Sequence, residues 1–356
     1  MNLSITTEAC GAEYPEQDGI KRKQPAIGAK ISKWPCALFG LILVAFHAQS
    51  ANLLVGGYTL STYASGLPVN AGSTVIAGMS MDPSTSQIYY MASSGSTLRR
   101  LDPSLAVTTL ATSSIGYPFV STDIEYYNGS VFMAFQSVAK YSSTLASSSI
   151  LTSLPAAYTI ESGIAQVGTK LYVTGGATGA GTIVSVDPVT GAQASLPFSV
   201  PNNASSLEYD AAHNRLIVAE NASNVGNTLF HTIDLASNTL NPSFAGLSGN
   251  AFGNFAVDPT GTWIFARAGN VLDRIDIASG TVTPFVNLLA DSTGYADSVF
   301  GPSSSGPGES LYVADGTSIL EINGFAAVPE PSACALAVLG LGALFASRRF
   351  HPRRNQ

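Results

Sequence analysis

Val257-Asp258-Pro259-Thr260-Gly261-Thr262-Trp263-Ile264-Phe265-Ala266-Arg267-Ala268-Gly269-Asn270-Val271-Leu272-Asp273-Arg274-Ile275-Asp276-Ile277-Ala278-Ser279-Gly280 decides how this chain folds. Asp258-Pro259 opens a turn, Trp263-Ile264-Phe265 begins an apolar strand, Val271 to Asp276 supplies a second strand, and Ile277 to Gly280 turns again. Proline presets φ, aspartate bonds its own backbone two residues on, and glycine takes positive φ without steric cost. The unit recurs. Its apolar triplet returns as Ile88-Tyr89-Tyr90, Val131-Phe132-Met133, Leu171-Tyr172-Val173, Leu216-Ile217-Val218, Trp263-Ile264-Phe265 and Leu311-Tyr312-Val313, spaced by 43, 40, 45, 47 and 48 residues. Turns precede each triplet, among them Met81-Asp82-Pro83, Tyr127-Asn128-Gly129 and Tyr209-Asp210-Ala211.

Short strands with two Asp/Pro/Gly turns in each repeat make four-stranded antiparallel units. A row of such units buries both faces of every sheet by stacking radially. The expected fold is therefore all-β, a six-bladed β-propeller of four-stranded antiparallel blades. A seven-bladed ring and a pair of β-sandwiches are the alternatives. The last repeat stops at its third strand, Thr317 to Asn323, while Asn52 to Tyr63 has no repeat of its own. That early segment is expected to supply the outer strand of the last blade and so close the ring. Nothing between residues 51 and 325 has a helical period.

Leu-Tyr-Val-Ala-like strands and Asp-Pro-x-x-Gly turns give these repeats a resemblance to NHL, YVTN and gluconolactonase-like propellers. The resemblance implies architecture and leaves activity open, because propellers host many unrelated functions.

Both ends of the chain read as addresses. Lys21, Arg22, Lys23, Lys30 and Lys33 precede an apolar run from Pro35 to Phe46 and small residues around Ser50. A basic n-region (here a long one), a short apolar core and a small-residue site make a secretory signal peptide, residues 1–50, expected to enter the membrane as a helix. At the other end, Val328-Pro329-Glu330-Pro331 is an extended linker, since proline lacks an N–H and fixes φ. An uncharged stretch from Ala333 to Ala346 follows, and then Arg348 and Arg349. Sixteen residues from Ser332 to Ser347 would reach roughly 24 Å as a helix at about 1.5 Å per residue. That is a short transmembrane segment, which snorkelling arginines can complete. The order Pro-Glu-Pro, apolar segment, arginine cluster over residues 326–356 resembles the PEP-CTERM sorting signal of Gram-negative bacteria. A similar region elsewhere carries the label "ice-binding protein C-terminal domain", which brings no ice-binding chemistry with it. The resemblance implies processing by the membrane enzyme exosortase, with Val328, Pro329, Glu330, Pro331, Arg348 and Arg349 as the residues acted upon. It also implies transient anchoring in the inner membrane, followed by release to the cell surface or extracellular matrix.

Residues 51–325 then form the working domain. All three cysteines of the chain, Cys10, Cys36 and Cys334, lie outside it, so it has neither a disulfide nor thiol chemistry. Seven Lys and Arg stand against eighteen Asp and Glu, a net charge near −11 that repels nucleic acid.

Candidate chemistry is sparse. Asp82, Asp102, Asp187, Asp234, Asp258 and Asp276 sit where strands end and read as turn formers. Gly175 to Gly181 is rich in glycine, but no helix N-terminus follows it to cradle a phosphate. His213 and His231 are far apart and make neither a zinc site nor a triad. At the axial mouth, Asp123, Glu161, Asn203, Asn254 and Asp297 fall at or just before the innermost strands of five repeats. Converging oxygen ligands suit a hard cation such as Ca²⁺. Gluconolactonase-like propellers use a comparable set, although their Asn-Asp and Pro-Asn-Gly stretches are absent here. Tyr117, Tyr158 and Tyr295 on the same rim could stack on sugar rings. The expected function is non-catalytic binding of polysaccharide or protein, or a structural role, with a cation-dependent hydrolase or lactonase at the axial mouth as the rival.

Overall fold

The computed structural model describes residues 51–325 apart from 70–75, 93–96, 110–122, 135, 155–162, 178–179, 198, 201–202, 223–226, 249–254 and 290–296. Two strands open the chain, β1 (Asn52–Leu53) and β2 (Thr59–Ala64). Blade 1 then contains β3 (Ile76–Asp82), β4 (Gln87–Ala92), β5 (Leu98–Leu101) and β6 (Val107–Thr109). In blade 2 lie β7 (Ile124–Tyr127), β8 (Ser130–Ala134), β9 (Ser137–Ser142) and β10 (Ser148–Ser153). Blade 3 comprises β11 (Ile164–Val167), β12 (Lys170–Ala177), β13 (Ala180–Val186) and β14 (Gln193–Ser195). Blade 4 is built from β15 (Asn203–Asp210), β16 (Arg215–Ala222), β17 (Asn227–Asp234) and β18 (Thr239–Leu240), with β19 (Ala245–Ser248) also on β17. Blade 5 has β20 (Ala256–Val257), β21 (Trp263–Ala268), β22 (Val271–Asp276) and β23 (Val282–Asn287). Blade 6 has β24 (Ser298–Pro302), β25 (Glu309–Asp315) and β26 (Ser318–Phe325).

Every described pairing is antiparallel within a blade, and the ring has six blades. It closes as the sequence implies, with one refinement. Strand β2 pairs with β26 and completes blade 6, whereas Asn52 and Leu53 add a fifth strand to blade 5 by pairing with Asn287 and Val286. One short N-terminal segment thus ties two blades together.

Packing explains why the repeating triplets are apolar throughout instead of alternating. Each blade is covered on both faces by its neighbours, so both sets of side chains are buried. Tyr89 points into a cluster with Ile124, Val131 and Tyr141 of blade 2, while adjacent Tyr90 joins Tyr312 and Ile319 of blade 6. Six such clusters fill the six gaps between blades. The richest in aromatics lies between blades 5 and 6, where Phe265, Phe285 and Phe300 close around Phe325. Each fully buried side chain of this size contributes about 1.5–3 kcal/mol.

The turn aspartates behave as the sequence indicates. Asp187 Oδ1 accepts the N–H groups of Val189 and Thr190, and Asp234 Oδ1 accepts those of Ala236 and Ser237. Asp258 Oδ1 caps Thr262 and Trp263. Asp102 differs: it pairs with Arg100 and accepts a bond from Gln87. Gly175 to Gly181 spans the β12–β13 hairpin. The signal segment and the sorting tail lie outside the described residues. Among the described residues, no helix is long and apolar enough to cross a membrane.

Candidate functional site

The inner strands β3, β7, β11, β15, β20 and β24 follow one another around the axis, each neighbouring the next. Asp123 and Asp297 stand immediately before two of them and are almost fully buried, at 4% and 2% exposure. Asp123 Oδ1 accepts the N–H of Ile124 at 2.8 Å, and its Oδ2 accepts that of Ile164, in blade 3, at 3.0 Å. Asp297 Oδ1 accepts the N–H of Ser298 at 2.6 Å, and its Oδ2 accepts that of Met79, in blade 1, at 2.5 Å. Glu125 takes the backbone N–H of Gln166, two residues beyond Ile164. Blades 1 and 2 are joined in the same way by Ser80 Oγ, which accepts the N–H of Tyr126 at 2.8 Å. Side chains therefore stitch inner strands together where the backbones of adjacent blades do not pair.

Four carboxyls, those of Asp123, Glu125, Glu208 and Asp297, share this axial region closely enough to perturb one another. Burial raises the Asp123 carboxyl well above its ordinary range, and the charges of Asp297 and Glu125 raise it further. Burial pushes Glu125 up to about 8, although its side chain is only half-buried. Glu208 is raised well above its ordinary range by burial first, then by Asp123, Glu125 and Asp297. Removing charge from water favours the neutral acid, and like charges add to that preference.

Of the axial residues singled out from sequence, the structure brings Asp123 and Asp297 together. Asn203 begins β15, as expected, with its side chain outside the description. Glu161, Asn254, Tyr117, Tyr158 and Tyr295 lie outside the described residues. Glu125 and Glu208, which the sequence reading missed, complete the described acidic group. Among the described residues, no group of three or more His, Cys, Asp or Glu has the geometry to hold a metal ion. The carboxylate oxygens of Asp123 and Asp297 already receive backbone donors, so these residues fit a latching role better than a Ca²⁺ shell of free oxygens.

Buried ionisable groups also lie off the axis, among them His231, Glu220 and Arg267. His231 Nε2 meets Glu220 Oε2 at 2.6 Å while its Nδ1 faces the carbonyl of Asn241 at 3.2 Å. Arg267 bonds the carbonyls of Gly269 and, across to blade 6, Ala314.

No known protein family matches the chain by sequence, and no curated protein does either. Solved structures do match. A gluconolactonase from Xanthomonas campestris superposes with a TM-score of 0.57 at 12% identity, over 75% of this chain and 90% of that one. The fold is that of the gluconolactonase-like six-bladed propellers. An auxiliary nutrient binding protein from Bacteroides thetaiotaomicron gives 0.55 at 12% identity, covering 75% of this chain and 76% of its own. Regucalcin, a calcium-binding protein from Agrobacterium tumefaciens, gives 0.51 at 15% identity, over 72% and 94%. Enzymes and binding proteins share this architecture, so the fold alone selects neither.

Proposed function

We propose that this chain is an exported β-propeller acting as a non-catalytic binding or structural module at the cell surface or in the extracellular matrix. Polysaccharide and protein are the ligand classes that suit its uncharged, hydroxyl-rich loops and acidic net charge. The observation that carries the reading is the use of the axial carboxylates. Asp123, Glu125 and Asp297 accept backbone N–H groups of the next blade, so the groups a hydrolase would deploy at this position are holding the ring. Burial also favours the neutral forms of Asp123 and Glu125, which are poor cation ligands.

The second reading is a cation-dependent hydrolase or lactonase. It is favoured by the convergence of four carboxyls on the axis and by the likeness to propellers described as gluconolactonases. Calorimetric titration with Ca²⁺ separates the two. The binding reading expects no saturable heat at the axis and no lactone hydrolysis, with polysaccharide retention unchanged by chelator. Saturable Ca²⁺ binding, lost in Glu208→Gln together with lactone hydrolysis, overturns it.

Export is part of the same proposal. The signal segment directs residues 51 onward across the membrane, and exosortase processes the tail near Val328-Pro329-Glu330-Pro331. Intact-mass analysis of protein recovered from the outer surface and matrix tests this. A mass corresponding to residues 51 to near 330 is expected, whereas a mass retaining Ala333 to Gln356 refutes tail processing.

A further inference from the structure

A cavity of about 360 Å³ opens at blade 2 between Gly129, Ser130, Lys140, Ser142 and Ser147 to Ser149. Its floor is a turn fixed from several sides. Ser142 Oγ accepts the N–H groups of Ala146 and Ser147, and Ser143 N–H reaches the carbonyl of Gly129. From blade 1, the Tyr89 hydroxyl and Arg100 Nη1 both donate to the carbonyl of Ser143. Leu145 is held at a positive φ of 58° with its side chain buried. The walls are therefore rigid before any ligand arrives, which lowers the ordering cost of binding.

The polar side-chain groups of the lining are serine hydroxyls and one ammonium. The hydroxyls of Ser130, Ser147, Ser148 and Ser149 make no hydrogen bond among the described residues and are free to bond a ligand. Lys140 Nζ lies 5.5 Å from the centroid of the buried Phe132 ring and gives one of its donors to the carbonyl of Pro188 at 3.3 Å. An ammonium has three donors, so two remain. The electrostatic setting is distinct from the rest of the domain. Between Glu125 and Glu161 the sequence has no acidic residue and one cation, Lys140, in a domain otherwise dominated by carboxylates.

We infer that this cavity binds an acidic saccharide, with the sugar hydroxyls taken by the serines and the carboxylate by Lys140. The volume suits one or two sugar rings, at the lower end of the range for small-molecule sites. The inference rests on the binding-module reading and names its ligand class and location.

Calorimetric titration of the full chain with trigalacturonate, and with maltotriose as the uncharged comparison, tests it. Trigalacturonate is expected to bind, more weakly as salt rises, and Lys140→Met is expected to weaken it at least tenfold. Lys170→Met, outside the cavity, should leave the affinity unchanged, and Ser148→Val checks the hydroxyl contribution with an expected loss of several-fold. Equal affinity in wild type and Lys140→Met, with both folded by circular dichroism, overturns the inference. Binding of maltotriose without trigalacturonate also overturns it while sparing the broader saccharide-binding reading. If neither sugar binds, the inference falls together with the saccharide form of that reading.

Discussion

The Asp297 carboxylate accepts the backbone N–H of Met79 at 2.5 Å, joining residues 218 positions apart and linking the last blade to the first. Its other oxygen holds Ser298, so one buried side chain both shapes the start of β24 and secures it to β3. Asp297→Ala removes both acceptors and leaves two N–H groups without them in a buried setting. Each such loss costs about 1–3 kcal/mol. The expected outcome is a drop of about 2–6 kcal/mol in unfolding free energy from denaturant titration, with Asp297→Asn losing less because its amide oxygen still accepts one bond. An alanine variant as stable as wild type contradicts the latch.

The blade count, the strand order and the ring closure by the N-terminal segment were legible in the repeat of apolar triplets and Asp/Gly turns. So was the placement of Asp123 and Asp297 at the starts of inner strands. Glu125 and Glu208 were not. Each sits mid-strand between apolar residues, in Ile124-Glu125-Tyr126 and Leu207-Glu208-Tyr209, and such alternation ordinarily marks a solvent face. Only closing the ring converts that face into an axial wall. The latching partners were also invisible, because Met79, Ile164 and Gln166 contribute backbone N–H groups and leave no trace in side-chain chemistry. The Ser/Lys140 cavity was missed for another reason. Runs of serine read as turn composition until the fold brings Lys140 and Ser130 beside Ser148 and Ser149.

The axial acids make stability depend on pH in an unusual direction. Glu125 has a folded value near 8, above its ordinary 4.5, so the unfolded chain loses its proton first as pH rises. Stability from this group is complete below about pH 4.5, falls steadily to about pH 8 and is flat beyond. Asp123 and Glu208 act in the same sense, and Asp273, raised to about 6 by burial, adds to the fall between about pH 4 and 6. Turn carboxylates such as Asp187 and Asp234, lowered by backbone N–H donors, oppose this only below about pH 4. Melting temperature is therefore expected to be highest near pH 5 and to be several degrees lower at pH 8, on the scale of about 2–4 °C per kcal/mol for a domain this size. Glu125→Gln should flatten the profile, because glutamine keeps an acceptor for Gln166 without ionising. A wild-type melting curve that rises from pH 5 to 8 would rule out a net-destabilising axial charge cluster.

Blades 3 and 4 meet at Gly163, where a methyl group would lie 2.4 Å from the backbone nitrogen of Leu207 and 2.6 Å from Ser206 Cα. These atoms are backbone, which cannot yield as a flexible side chain would. Gly163→Ala is expected to push β15 away from its neighbour and to cost about 1–3 kcal/mol, the range for overpacking. Gly168 offers the contrast, because it has open space but a φ of +59°. Gly168→Ala should cost only about 1 kcal/mol through backbone strain. Urea unfolding of the pair compares the two directly, and equal losses would show that Gly163 is not a steric contact point.

Ring closure by β2 predicts an asymmetry between two N-terminal truncations. Strand β2 covers the outer edge of β26, and Tyr63 packs edge-on against Tyr312 with ring centroids 5.1 Å apart. Strand β1 adds only Asn52 and Leu53 to a blade that already has four strands. Removing residues 51–55 from the propeller should preserve a cooperative transition, with melting lowered by a few degrees at about 2–4 °C per kcal/mol lost. Removing residues 51–64 strips the outer strand of blade 6, exposes the unpaired N–H and C=O groups of β26, and opens an edge prone to pairing with other chains. Hydrogen exchange should then show β25 and β26 unprotected, and light scattering should show association. If protection of β26 survives the longer truncation, the ring does not depend on its N-terminal strand for closure, and the inter-blade contacts of Asp297 and the blade 6–blade 1 cluster suffice to hold it.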